Sequence, residues 1–193
     1  MQIQKAEIKN RITNSAIESF LTLGYEKASM RRIASDAGIT VGNIYSYFSN
    51  KEELFDTIVL PTVEQIKGLI LMKLSTNNRI TKQSAMEATN QIMNTILTNH
   101  QVFLILMDGA KGSKYENIKG VIKIQIKERL VADLIPQLHM GKENEILIDT
   151  LSSVLLDGII NIVIKSENDQ RLMNKLICNF LLLVFEDIAE RLN

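Results

Sequence analysis

The chain has 193 residues, of which 46% are hydrophobic, and its 22 basic and 22 acidic side chains leave a formal net charge of zero. This composition excludes a disordered chain, and it withholds the overall basic balance that would by itself argue for a nucleic-acid partner. A single cysteine, Cys178, excludes an intrachain disulfide and fits a reducing cytoplasm.

Only 2 Pro and 9 Gly are present, which leaves few breaks and favours long helices. No sustained apolar/polar alternation supports strands. The first helix is expected over residues 5–23, where Ile8, Ile12, Ala16, Phe20 and Leu23 recur at helical spacing, with Gly24 as its stop. A second, short helix follows, with Ser29 as N-cap, Ile33, Ala34 and Ala37 facing inward, and Gly38 as its end. Gly38 supplies the positive φ of a tight turn. A third helix starts at Thr40 and runs to about Phe48. A capping box at Ser49 and Glu52 then opens a fourth, in which Pro61 predicts a kink or break.

Beyond a polar loop at residues 75–79, the pattern gives helices over residues 81–100, 116–138, 142–165 and 169–192, with a shorter apolar piece over 101–109. Residues 109–120, with three glycines and three lysines, read as a mobile loop, and Pro136 falls near the end of the helix after it. The start of the chain lacks the apolar core of a signal peptide. The longest apolar runs, residues 102–107 and 180–185, fall far short of the roughly 18 residues a membrane span needs. The expectation is a cytoplasmic protein with no membrane partner.

Two short helical patterns around a tight turn at residues 38–40 form the layout of a helix-turn-helix, whose second helix enters the DNA major groove. The charge distribution agrees: residues 1–51 carry seven bases against four acids, leaving +3 there and −3 on the rest. Ile33, Ile39, Ile44 and Phe48 would form the module's core. Val41, Asn43, Tyr45, Ser46 and Tyr47 would face the DNA, and Gly42 would let backbone approach closely. Asn suits adenine, Val a thymine methyl, and hydroxyl or cationic groups suit phosphates. Ser29, Arg31, Arg32, Thr40 and Lys51 complete the candidate DNA-binding set.

This stretch resembles the DNA-binding region of the TetR family of transcriptional regulators. The matching residues are Phe20, Gly24, Tyr25, Ser29, Ile33, Ala34, Ala37, Gly38, Gly42, Tyr45, Tyr47, Phe48, Lys51 and Leu54. Ile39 stands in for the usual Val, Ala28 for a common Thr, and Arg32 for a common acid. The resemblance covers residues 8–60; beyond them only length, helical character and the Asp157-Gly158 pair agree. It implies an all-α fold of about nine helices: a three-helix DNA-binding domain over residues 1–50, then a larger helical ligand-binding and dimerisation domain over residues 51–193. It further implies a homodimer through the last two helices, double-stranded DNA as partner, no resident cofactor and no enzymatic activity. A small-molecule effector would bind the C-terminal part and release a repressor from a pseudo-palindromic operator.

Candidate effector residues are Met86, Met93, Phe103, Met107, Tyr115 and Asn161, with Met72 in the same methionine group; at helical spacing these residue types also serve as ordinary core. His100 and His139 stand apart, with no metal-ligand spacing around either. The alternative to a repressor is a helical ligand carrier or enzyme with a vestigial DNA-binding head, but no phosphate-binding loop, metal cluster or nucleophilic constellation supports it. A regulator acting through a protein partner is a third, weaker reading.

Overall fold

The computed structural model describes residues 2–71, 82–134, 142–167 and 169–185, and all regular structure among them is helical. The elements are α1 (Gln2–Lys27), α2 (Met30–Asp36), α3 (Val41–Ile44), α4 (Lys51–Leu71), α5 (Lys82–Thr98), α6 (His100–Leu104) running into a π-helical turn (Ile105–Gly109), α7 (Ile118–Leu134), α8 (Lys142–Lys165) and α9 (Gln170–Phe185). Met72, the loop at residues 75–79, Pro136, His139 and the last helical turns expected up to residue 192 lie outside the described residues.

The chain packs as two compact units, one of residues 1–64 with 99–118, the other of residues 65–98 with 119–193. This packing division differs from the functional division at residue 50, which stays a proposal. In the first unit, Ile12, Ala16 and Phe20 line the inner face of α1 and are fully buried. Gly24 interrupts the helix with φ 73° and ψ 165°, a region essentially closed to side-chain-bearing residues. A further turn follows, closed by the Ala28 amide on the Gly24 carbonyl at 3.2 Å. The π-helical turn crosses α1 at this point: a Cβ on Gly109 would lie 3.2 Å from the Phe20 carbonyl oxygen.

Several local expectations change in the packed unit. The N-cap of α4 is Asn50, whose Oδ1 accepts from the Glu53 amide at 2.8 Å, and Glu53 reaches back to the Ser49 amide at 2.7 Å and to the Ser49 hydroxyl. The capping box therefore sits one residue later than Ser49 and Glu52, since Asn caps as well as Ser and Glu53 is the third helical residue. Helix α4 runs unbroken through Pro61. Residues 110–117 are a tied turn rather than a free loop. Ser113 bonds the Ala110 carbonyl through its amide (3.0 Å) and its hydroxyl (2.6 Å), the Glu116 carboxylate accepts from the Gly112 amide, and Lys114 pairs with Asp56.

In the second unit α9 packs against both α5 and α8. Met173, Ile177, Leu181 and Phe185, spaced four apart, form its buried stripe. Gly158 of α8 meets the Phe180 ring so closely that a Cβ there would lie 2.4 Å from it. Among the described residues, α8 alone has by length and composition the hydropathy of a membrane span, with a mean hydropathy of 1.8 over residues 143–165. Counting unbroken apolar runs misses this, because single polar residues interrupt the helix. One of them, Asp149, is held by Lys123 (3.1 Å) and Lys127 (3.4 Å) of α7, which keeps its carboxyl below the ordinary range.

Candidate nucleic-acid interface

Helix α2 ends in a Schellman arrangement: the Ile39 amide bonds the Ala34 carbonyl and the Gly38 amide the Ser35 carbonyl, both at 3.0 Å, with Gly38 at φ 66°. Arg11, reaching across from α1, donates to the Ala37 carbonyl and to that of Gly38 at 3.2 Å. A cation thus sits on the negative end of α2 and sets the corner from which α3 departs. Thr40 then caps α3, its Oγ1 accepting from the Asn43 amide at 3.2 Å, as the Ser29 Oγ accepts from the Arg32 amide at 3.3 Å. Both hydroxyls keep their own proton to donate outward.

Helix α3 is shorter than the residues 40–48 expected. Regular α-helix covers Val41–Ile44, and the chain tightens into bonds three residues apart, Ser46 amide to Asn43 carbonyl (3.1 Å) and Tyr47 amide to Ile44 carbonyl (3.0 Å). Inner and outer faces still separate as the pattern demands. Ile33, Ala34, Ala37, Ile44 and Phe48 are buried, while Val41 is 40% and Tyr45 50% exposed. Ser46 is exposed, and Asn43, Tyr47 and Ile39 are half-buried. Gly42 faces open space: nothing lies within 4 Å of where its Cβ would be, so no contact within the described residues requires a glycine there.

The Ser46 hydroxyl donates to the Asn43 carbonyl at 2.7 Å, with Asn43 Oδ1 at 3.3 Å. Arg31 and Arg32 are exposed on α2, and Arg32 stands 3.8 Å from Asp36 with both side chains more than half exposed, an ion pair worth at most about 1 kcal/mol.

Lys51 turns back onto the end of α1. Its ammonium donates to the carbonyls of Tyr25 (2.6 Å), Ala28 (3.0 Å) and Glu26 (3.4 Å), and lies 4.3 Å from the centre of the Tyr25 ring. Burial pulls its pKa below the ordinary lysine range, against the opposing pull of Glu26. The same region half-buries Tyr25 and Tyr115, whose phenols are raised chiefly by desolvation and then by nearby carboxylates, Asp56 among them. Sequence reading missed the capping role of Arg11 and the position of Lys9, whose ammonium lies 5.6 Å from the centre of the Phe48 ring. No local signal carries either, because the partners of Arg11 are 26 and 27 residues away and that of Lys9 is 39 away.

The candidate effector residues do not gather into one site within a unit. Phe103 and Met107 are buried and Tyr115 half-buried in the first unit, the last beside Phe55 at 6.1 Å between ring centres. In the second, Met93 is buried, Met86 is 50% exposed and Asn161 is exposed. A groove of about 270 Å³ in the second unit is lined instead by Gln65, Gly68 and Leu69 of α4 and Gln91, Asn94, Thr95 and Thr98 of α5. Residue type marks Met and aromatic side chains as adaptable, but which face they occupy depends on the packing. Among the described residues no group of three His, Cys, Asp or Glu could hold a metal ion.

Residues 12–58 match the family described as bacterial regulatory proteins, tetR family. The chain is 39% identical over 59 residues to the uncharacterized HTH-type transcriptional regulator YhgD of Bacillus subtilis (strain 168), covering 31% of each chain. It is 35% identical over 65 residues to the HTH-type transcriptional regulator UidR of Escherichia coli (strain K12), covering 34% of this chain and 33% of that one. The match thus spans about a third of the length of these relatives. The whole fold is similar to that of SCO3833, a TetR-family member from Streptomyces coelicolor A3, with TM-score 0.65 and 17% identity, covering 90% of this chain and 89% of that one. The matched segment holds α2, α3 and the turn between them, and the fold around it is similar to the helical one of these regulators.

Proposed function

We propose that the protein is a DNA-binding transcriptional repressor that reads a pseudo-palindromic operator as a homodimer in the cytoplasm and leaves it when a small-molecule effector binds. The observation that carries the reading is the two-faced reading segment, with Ile44 and Phe48 buried and Val41, Gly42, Tyr45 and Ser46 turned outward. An enzyme with a vestigial head would have no reason to keep that face open. Phosphate contacts fall to Arg31, Arg32, Tyr45, Tyr47 and the hydroxyls of Ser29 and Thr40, and base contacts to Val41 and Asn43.

A binding selection from random duplex DNA should return a two-fold symmetric consensus. The Asn43→Ala variant should relax choice at one base position per half-site, worth about 1–3 kcal/mol of discrimination. A selection that returns no enriched sequence would remove the reading, and an unchanged consensus would remove Asn43 from the reading set.

The homodimer is supported by unpartnered apolar stripes. Ile146, Val154 and Ile164 of α8 share one exposed face with Asp157 and Asn161, and Leu172, Leu176 and Leu183 of α9 share another with Asn179. A second copy of the pair would cover both, and the two reading segments would then address half-sites roughly 34–36 Å apart. The double variant Val154→Glu, Leu176→Glu should halve the mass seen by light scattering. A wild-type mass of one 21.8 kDa chain at micromolar concentration would contradict the dimer. The effector site stays within residues 51–193, where the groove between α4 and α5 offers neutral amide and hydroxyl groups.

A further inference from the structure

Lys51 is the first residue of α4, a position where the helix dipole disfavours a cation. Its charge is offset elsewhere: the three carbonyls it meets are those of the turn with which α1 ends, the negative pole of another helix. An ammonium has three protons, and here three carbonyl oxygens receive them, with the Tyr25 ring alongside. A phosphate oxygen could take one only by breaking a bond already made. Lys9 differs. It is exposed, on the face of α1 that passes Phe48, the last residue of the reading segment, and it lies near enough to Glu53 to lower that carboxyl, after the two Ser49 hydrogen bonds. Lys5, also exposed, stands one helical turn earlier.

We propose that Lys51 is a positioning residue that locks the end of α1 onto the start of α4, and that Lys9 is the phosphate-binding cation on this flank of α3. The proposal rests on the DNA-binding reading above. The lock matters for reading because the turn it holds leads directly into α2 and so sets the angle at which α3 is presented.

The test compares operator and random duplex binding between 50 and 200 mM salt, about the range in which counterion release is read, for wild type, Lys9→Gln, Lys51→Gln and Lys51→Arg. Lys9→Gln should make the slope of log affinity against log salt shallower by about one, with melting unchanged. Lys51→Gln should keep the wild-type slope while the operator-to-random affinity ratio falls about tenfold, a loss of about 1.4 kcal/mol, and the Ala28 amide exchanges faster. Lys51→Arg should not restore the ratio, because a planar guanidinium does not fit a niche shaped for three converging carbonyls.

A shallower slope for Lys51→Gln with an unchanged ratio would make Lys51 a phosphate ligand and overturn the assignment. So would an unchanged slope and ratio with lower melting alone, which would leave Lys51 a purely stabilising group. An unchanged slope for Lys9→Gln would overturn its half of the exchange. If Lys51→Gln is unfolded at the assay temperature, Lys51→Arg decides: a wild-type ratio overturns the lock, a reduced ratio at wild-type slope supports it. If wild type binds no duplex at all, the functional reading falls by itself, and amide exchange at Ala28 alone decides the lock.

Discussion

Replacing Phe55 with alanine should cost the first unit about 3–5 kcal/mol, the range for truncating a buried aromatic side chain. Phe55 is 1% exposed and stands at the centre of a ring cluster: Phe20 meets it edge-on with ring centres 4.9 Å apart, Tyr25 lies at 4.8 Å and Tyr115 at 6.1 Å. These four rings come from α1, its last turn beyond Gly24, α4 and the segment following the π-helical turn. Their loss therefore loosens every element that holds the reading module from behind. Urea denaturation followed by circular dichroism measures the effect, and a cost under about 1 kcal/mol would mean the cavity collapses and the cluster is not the keystone. The titration of the tyrosines offers a second reading. Burial raises the phenols of Tyr25 and Tyr115, so opening the cluster should bring both back toward the ordinary tyrosine range. A folded-state pKa raised for an acid means that the neutral phenol is favoured by folding. That contribution is fully present below the ordinary tyrosine pKa and is lost as pH rises from there through the raised folded-state value, so wild type should lose stability in alkali more steeply than the variant.

Gly24→Val should be nearly as damaging, by about 3 kcal/mol, for a different reason. At φ 73° and ψ 165° a β-branched residue is strained whatever the space around it, and the Gly109 carbonyl oxygen lies 3.5 Å from the new Cβ. The Gly42→Ala variant is the matching control. Nothing surrounds that position and its backbone is not in the left-handed region, so stability should hold or rise by about 0.4–1 kcal/mol. DNA affinity should nevertheless fall, because the requirement there comes from the duplex. Equal melting of Gly24→Val and wild type would show that the turn rearranges at no cost. A drop in stability for Gly42→Ala would place an unrecognised contact at α3.

Much of the fold was legible because its signals are local. Ser29, Thr40 and Gly38 act at their own helix ends, and the limits of α2, α5 and α8 fall within a few residues of where caps and periodicity set them. The departures arose where distant chain segments intervene. Pro61 does not break α4, whose flanks Ile58, Val59, Thr62 and Val63 are buried and hold the helix through it. The glycine- and lysine-rich residues 109–120 look unconstrained in sequence, yet Asp56 and Glu26 from other elements tie them down through Lys114 and Lys111. The candidate effector residues share a chemical type but are divided between the two packing units, since composition says nothing of which face meets which helix.

The amino-acid order alone determined the helical class, the segment that matches the tetR family and the outward residues of the reading segment, because each rests on spacing within a few turns. Tertiary structure decided where the charges go. Lys51 turns to carbonyls 23 to 26 residues away and Arg11 to carbonyls 26 and 27 residues away, for a helix end attracts whatever cation folding brings beside it, and no local pattern records that meeting.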